Sequence, residues 1–142
     1  MRVALQNSRL TAQITADIAE REKAKRELEI AREVQERLFP QDCPGVGGLD
    51  YAGACRPAFE IGGDHYDFMR LSETTLGIAI GDMSGKGISA SLLMATLRAY
   101  VHGLTAAGEA DLCRLMTNLN RLGCESSAAE RYATFFTASM IL

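Results

Sequence analysis

Residues 3–38 contain neither glycine nor proline, are rich in Ala, Glu, Arg, Lys and Leu, and stop at Phe39-Pro40. Such a stretch has one natural conformation, a single long helix, spanning roughly 50 Å at about 1.5 Å per residue. Placing Val3, Leu10, Asp17, Ala24, Ala31 and Leu38 at one seam position puts Asn7, Ile14, Arg21, Leu28 and Gln35 at the other. That heptad is apolar at its ends and charged in its middle, and a four-residue stutter near Asp17 would let Ile14 and Ile18 share a face. Near its end the helix changes character: Leu28, Ile30, Ala31, Val34 and Leu38 form an apolar face too wide for a two-stranded seam and suited to docking on a domain. A charged helix solvated on all sides is the competing expectation.

The charge of the 142-residue chain divides along the same line. Its 15 Lys+Arg and 18 Asp+Glu give a net charge of -3. Residues 1–44 hold equal numbers of each sign, so the excess negative charge lies entirely in residues 45–142. No basic surface is offered to a run of phosphates, which argues against nucleic acid as a partner. Cys43, Cys55, Cys113 and Cys124 form no C-x-x-C pair and match no His spacing, which fits small buried apolar residues in a reducing compartment rather than zinc or a disulfide. No stretch approaches the length of a membrane span or the pattern of a signal peptide. These features point to a cytoplasmic chain, or the cytoplasmic piece of a larger one.

Gln41 to Gly48 reads as a linker by its Pro44, Gly45, Gly47 and Gly48, dividing the chain into a helical segment, 1–40, and a mixed segment, 45–142. A short strand is expected over Leu49 to Pro57, then a hairpin of His65–Leu71 and Leu76–Asp82 joined at Ser72-Glu73-Thr74. In the second hairpin strand Leu76, Ile78, Ile80 and Asp82 share one face and Gly77, Ala79 and Gly81 the other. The small face must let another backbone or helix come close. From Ile88 to Leu104 the period turns helical, with apolar residues over most of the circumference. A second helix from Ala110 carries the stripe Leu112, Leu115, Met116, Leu119 and Leu122 and is expected to close at Gly123. Tyr132 to Leu142 reads as a fourth strand, and a chain stopping inside an apolar strand looks interrupted.

Two glycine-flanked acids stand out, Asp64 after Gly62-Gly63 and Asp82 within Gly81-Asp82-Met83-Ser84-Gly85-Lys86-Gly87. If the hairpin pairs as expected, both lie at one edge. Two carboxylates that close repel unless a cation or a proton sits between them, and hard oxygen donors without His or Cys point to Mg²⁺ or Mn²⁺. Asp67 and Glu60 are near enough to act as outer ligands or orienters. The same spacing also suits turn acids that cap a strand and the following helix. A phosphate-binding P-loop is the rival for Gly81 to Gly87, but three rather than four residues separate Gly81 from Gly85, and no Ser or Thr follows Lys86. Lys86 is then a surface or phosphate-facing side chain. His65 is either a ligand or a partly exposed strand-start residue, and Met69, Met83, Met94 and Met116 need only be core.

Taken together, Ala31-x-x-Val34-Gln35-x-x-Leu38-Phe39-Pro40, Gly62-Gly63-Asp64-His65-Tyr66-Asp67-Phe68, Gly81-Asp82-Met83-Ser84-Gly85-Lys86-Gly87-Ile88 and Ala90-Ser91-Leu92-Leu93-Met94-Ala95 resemble the RsbU/SpoIIE group of PPM-type (PP2C-like) serine/threonine phosphatases, bacterial stress and sporulation regulators. The likeness covers about residues 28–142. It implies an α+β chain: a partial αββα sandwich, cut short at its C-terminus, preceded by a long coiled-coil-like helix. It further implies two Mn²⁺ or Mg²⁺ ions and a metal-activated water attacking phosphoserine or phosphothreonine on a protein, usually a STAS-type anti-sigma-factor antagonist. By the same resemblance Asp64 is one metal ligand, Asp82 bridges both ions, Met83 contributes its backbone carbonyl, and Asp67 stands beside the site. The helices over 88–104 and 110–122 resemble a pair that moves to switch activity, and the N-terminal helix resembles the linker that drives it, so a homodimer through either is expected. His65 stands where Tyr is usual and Ser89 where Pro is common. Further family ligands would lie beyond Leu142, so little turnover is expected from these residues alone. The alternative, from another functional class, is a non-catalytic coiled-coil dimerisation and signalling module.

Overall fold

The computed structural model describes residues 2–46 and 48–141; Gly47, Leu142 and the side chains of residues 2–5, Val3 among them, lie outside the described residues. The glycine-free opening forms α1 (Arg2–Glu36), which ends where Leu38 N–H donates to Gln35 O at 2.9 Å in a tighter turn before Pro40. Among the described residues, only its last part is covered. Leu28, Ala31 and Leu38 are half-buried and Gln35 is buried, whereas Ile30 and Val34 are about 60% exposed. The docking face is therefore narrower than the apolar pattern implied. It follows positions 28, 31, 35 and 38, one helical stripe, and takes in a polar residue in place of two aliphatic ones.

The hairpin forms as its alternation requires. β1 (His65–Arg70) and β2 (Thr75–Met83) pair antiparallel from His65 opposite Gly81 to Arg70 opposite Leu76. The turn is closed by Leu71 N–H and Ser72 N–H, both donating to Thr75 O. β3 (Ala133–Ile141) adds to the other side of β2, giving a three-stranded sheet in the order β1-β2-β3. No strand forms over Leu49–Pro57; this segment is irregular, with only an isolated bridge from Val46 to Leu49. It carries no sustained alternation to give it a place in the ladder.

Two helices cover one face of this sheet. α2 (Ile88–Ala106) packs on β2 at Ala79 and Met83, which join Ala90, Met94, Leu97 and Val101 in one buried cluster with Leu119, while the space beside Gly77 and Gly81 is taken by the side chains of Leu71 and Phe135 rather than by a helix. α2 buries one apolar side only, since Ile88 and Leu92 remain 58% and 64% exposed. α3 (Leu112–Ser126) starts at Asp111, whose carboxylate accepts from Cys113 N–H at 2.8 Å and Arg114 N–H at 3.2 Å. It runs through Gly123 rather than closing there. A Cβ at Gly123 would sit 3.2 Å from Leu97 Cδ2, so this glycine marks the close passage of α3 over α2, not a helix end. The four cysteines are free and, against expectation, none is buried. Among the described residues no helix is long and apolar enough to cross a membrane.

Met94 is fully buried at the centre of the cluster. Met94→Ala is expected to cost about 3 kcal/mol, read as a fall in the urea midpoint at unchanged slope.

Candidate metal and phosphoryl site

Continuing the β1–β2 ladder by one residue past His65 and Gly81 sets Asp64 opposite Asp82, and by two sets Gly63 opposite Met83. Opposed residues of an antiparallel pair project to the same face, so the two carboxylates meet. The approach depends on Gly63: a Cβ there would lie 2.9 Å from the Met83 carbonyl oxygen, 3.0 Å from Ala90 Cβ and 3.1 Å from Met83 Cβ. No side chain larger than hydrogen lets the backbone come this near. Past Met83 the chain turns into α2 through Gly85 at φ 101 and Gly87 at φ 65, conformations in the left-handed region. That loop is tied to the start of β3, with Ser84 N–H donating to Tyr132 O at 2.8 Å and Tyr132 N–H to Ser84 Oγ at 2.9 Å. Lys86 turns away over the ring of Phe59, 5.8 Å from its centroid.

The pair is electrostatically unsatisfied. Partial burial, then the charge of Asp82 and a hydrogen bond with it, all push the Asp64 carboxyl above the ordinary carboxylate range. Among the described residues no three His, Cys, Asp or Glu side chains are grouped to enclose an ion. What this edge offers is two hard carboxylates and the nearby Met83 carbonyl, donors of the kind Mg²⁺ and Mn²⁺ take. Both acids face an open groove of about 880 Å³ between the irregular segment and the sheet, lined also by Tyr51, Cys55, Arg56 and Ile80. Tyr66 holds the segment in place, its hydroxyl donating to Gly53 O at 3.0 Å while its ring stacks on Phe39 at 5.3 Å.

Asp67 is placed elsewhere, correcting the expectation that it stands beside the pair. Three residues along a strand is an odd step, so Asp67 points to the helix-covered face of the sheet while Asp64 points to the groove. It is 3% exposed, and its Oδ2 lies 2.5 Å from His102 Nε2 and 3.2 Å from Arg98 Nε, both on α2. His65, 3.9 Å from the same oxygen, is buried rather than partly exposed, and neither of its ring nitrogens has a partner among the described residues. Burial holds its pKa at about 4, with Arg98 and His102 opposing protonation and Asp67 favouring it less strongly than burial disfavours it.

Residues 72–142 match the family model described as Stage II sporulation protein E (SpoIIE). The chain belongs to the SpoIIE family. This SpoIIE-family chain is 33% identical over 118 residues to the phosphoserine phosphatase RsbU of Bacillus subtilis, a match covering 83% of the chain and 35% of RsbU. It is 32% identical over 75 residues to protein IcfG of Synechocystis, covering 53% of the chain and 12% of that protein. The chain thus spans about a third of RsbU and less of IcfG. Among solved structures it resembles the PP2C domain of SiaA from Pseudomonas aeruginosa, with a TM-score of 0.65 at 21% identity over 82% of this chain and 49% of that one. It also resembles the RsbU and RsbW domains of a Mycobacterium tuberculosis protein, with a TM-score of 0.51 at 23% identity, covering 68% and 24%. The fold is therefore PP2C-like: one sheet with one helical layer, matching about half of the SiaA domain.

Arg98 and His102 belong to no motif that the sequence makes conspicuous. Their one signal is the spacing of two basic residues one turn apart, i and i+4, on an otherwise apolar helix. His65 sets an acid limit on the fold of this chain. Its folded pKa lies below the unfolded value of 6.5, so the stability tied to neutral His65 is complete above about pH 6.5 and is lost as the pH falls toward 4. The loss is on the order of 2–3 kcal/mol. Urea unfolding in chelator between pH 7.5 and 4.5 is expected to show that slope, and His65→Gln to flatten it.

Proposed function

We propose that this SpoIIE-family chain forms the ion- and substrate-facing edge of a protein serine/threonine phosphatase that hydrolyses phosphoserine or phosphothreonine on a protein partner. The observation that carries the reading is the placement of Asp64 directly across from Asp82 at the mouth of an open groove, with Asp64 pushed toward its protonated form. Phosphoserine phosphatase is also what the RsbU relative is named for. A STAS-type antagonist of an anti-sigma factor is the partner favoured by the family resemblance, and the four free thiols suit a cytoplasmic setting.

In this reading Asp64 and Asp82 would hold the divalent ions, with the Met83 carbonyl as a further oxygen donor. The chemistry that bound Mn²⁺ or Mg²⁺ supplies is acidification of a water and neutralisation of charge on the phosphoryl oxygens. Arg56, lining the same groove, offers a cation to the substrate phosphate. Asp67 acts at one remove, fixing β1 to α2 from the far face of the sheet. Residues 45–142 then constitute the first part of the phosphatase domain, and 1–40 a regulatory helix. Titration of Mn²⁺ into the chain, followed by the electron paramagnetic resonance of free Mn²⁺, is expected to show saturable binding weakened about tenfold or more by Asp64→Asn or Asp82→Asn. Mn²⁺-dependent hydrolysis of a phosphoserine peptide, however slow, should vanish in Asp82→Asn. Binding and hydrolysis indifferent to both substitutions would sink the assignment.

A second copy is the proposed partner of α1. Leu10, Ile14 and Ile18 are each about half exposed on the part of the helix that the domain leaves uncovered, and Ile88 and Leu92 give α2 a second open apolar side. A purely structural coiled-coil module would share this surface, but would not need the carboxylate pair. Light scattering is expected to report a dimer that Ile14→Lys converts to monomer; an unchanged mass would remove α1 from the interface.

A further inference from the structure

One buried polar side chain has no part in the proposed ion chemistry. Gln35, near the end of α1, is 4% exposed, and its carboxamide is directed at the site's supporting backbone. Its Nε2 donates to Gly62 O at 2.7 Å and to Ser91 Oγ at 3.1 Å, while its Oε1 accepts from Gly62 N–H at 3.0 Å. The backbone of one residue carries one donor and one acceptor, so the two bonds to Gly62 fix which way the Gln35 carboxamide faces. Glu has no donor for Gly62 O, and Asn is one methylene short. The clamped residue is two positions before Asp64 and adjacent to Gly63, whose contact with Met83 sets the distance between β1 and β2. Ser91 lies in the first turn of α2. A single side chain thus ties α1 to the loop that carries Asp64 and to the helix that packs beneath Asp82.

We infer that Gln35 is a positioning residue: it holds the Gly62–Asp64 loop in register with α1, and so holds Asp64 opposite Asp82. The inference rests on the reading of Asp64 as an ion ligand for its consequence, but its structural content does not depend on that reading. Packing alone would not need a carboxamide here; the neighbouring stripe positions Leu28, Ala31 and Leu38 are apolar. Breaking the clamp leaves the Gly62 amide without a partner, a loss that corresponds to about tenfold or more in a local opening equilibrium.

The test compares the wild-type chain with Gln35→Met, which keeps the length and volume of the side chain, with Gln35→Asn, which shortens it, and with Leu38→Ala as a destabilised control on the same helical stripe. Hydrogen exchange resolved at residues 61–65 is expected to quicken about tenfold in both Gln35 variants and to stay at wild-type rates in Leu38→Ala, at a temperature where all are folded. Mn²⁺ titration should show the same order, about tenfold weaker binding in the Gln35 variants only. Unchanged loop exchange in the Gln35 variants, or equal quickening in Leu38→Ala, would overturn the inference. If the wild type fails to bind Mn²⁺, the ion reading falls, and the exchange comparison still decides whether Gln35 holds the loop.

Discussion

The register between β1 and β2 is the constraint on which the rest of this structure depends. Six antiparallel pairs, from His65–Gly81 to Arg70–Leu76, fix which residues face the helices and which face the groove. Because side chains alternate with a period of two, a slip by one residue would exchange the faces completely. It would send Asp82 into the apolar cluster and bring Met83 out of it. The hydrophobic penalty for that exchange is what holds two carboxylates opposite each other despite their repulsion. Met83 and Ala79, buried against Ala90 and Met94, supply the anchoring.

Glycine sets how near the two strands come beyond the last ladder pair. Gly63 has no space for a Cβ, being bounded by the Met83 carbonyl on one side and Ala90 on the other. The loop carrying Asp64 is therefore pressed between β2 and α2, and any motion of α2 is felt there. Gln35 adds α1 to the same contact through Gly62 and Ser91. Three elements distant in sequence thus converge on a few backbone atoms, the condition under which a helix displacement changes a site geometrically rather than by loosening it.

How much of this was legible in the sequence depends on the range of the interactions. The hairpin, the small-residue face of β2, the stripe of α3 and the meeting of Asp64 with Asp82 are local or depend on one turn, and alternation with glycine punctuation reveals them. The strand expected over Leu49–Pro57 did not form because strand identity needs a partner, and this segment lies against Tyr66 as irregular chain. Gln35 read as a heptad seam residue because periodicity reports a face without saying what covers it. The burial of His65 was hidden for the same reason, since Phe39, which stacks on it, and Arg98 and His102, which oppose its charge, are each more than twenty residues away. Cysteine composition suggested buried thiols, yet Cys43, Cys113 and Cys124 are exposed and Cys55 is half-buried.

The two acidic positions at Asp64 and Asp67 differ in whether the fold itself supplies a counter-charge. Asp67, on the helix face, has His102 Nε2 at 2.5 Å and the Arg98 guanidinium at 3.2 Å, so the fold itself supplies its counter-charge. Asp64, three residues earlier and on the other face, meets a second carboxylate, and every influence acting on it favours the neutral form. Exchanging their surroundings would cost stability twice, by burying an uncompensated charge under α2 and by pairing the groove acid with a cation it could not release. The alternation of the strand thus separates an internal ion pair that stabilises α2 from an external pair of acids left open. Of the two, only the second faces the open groove.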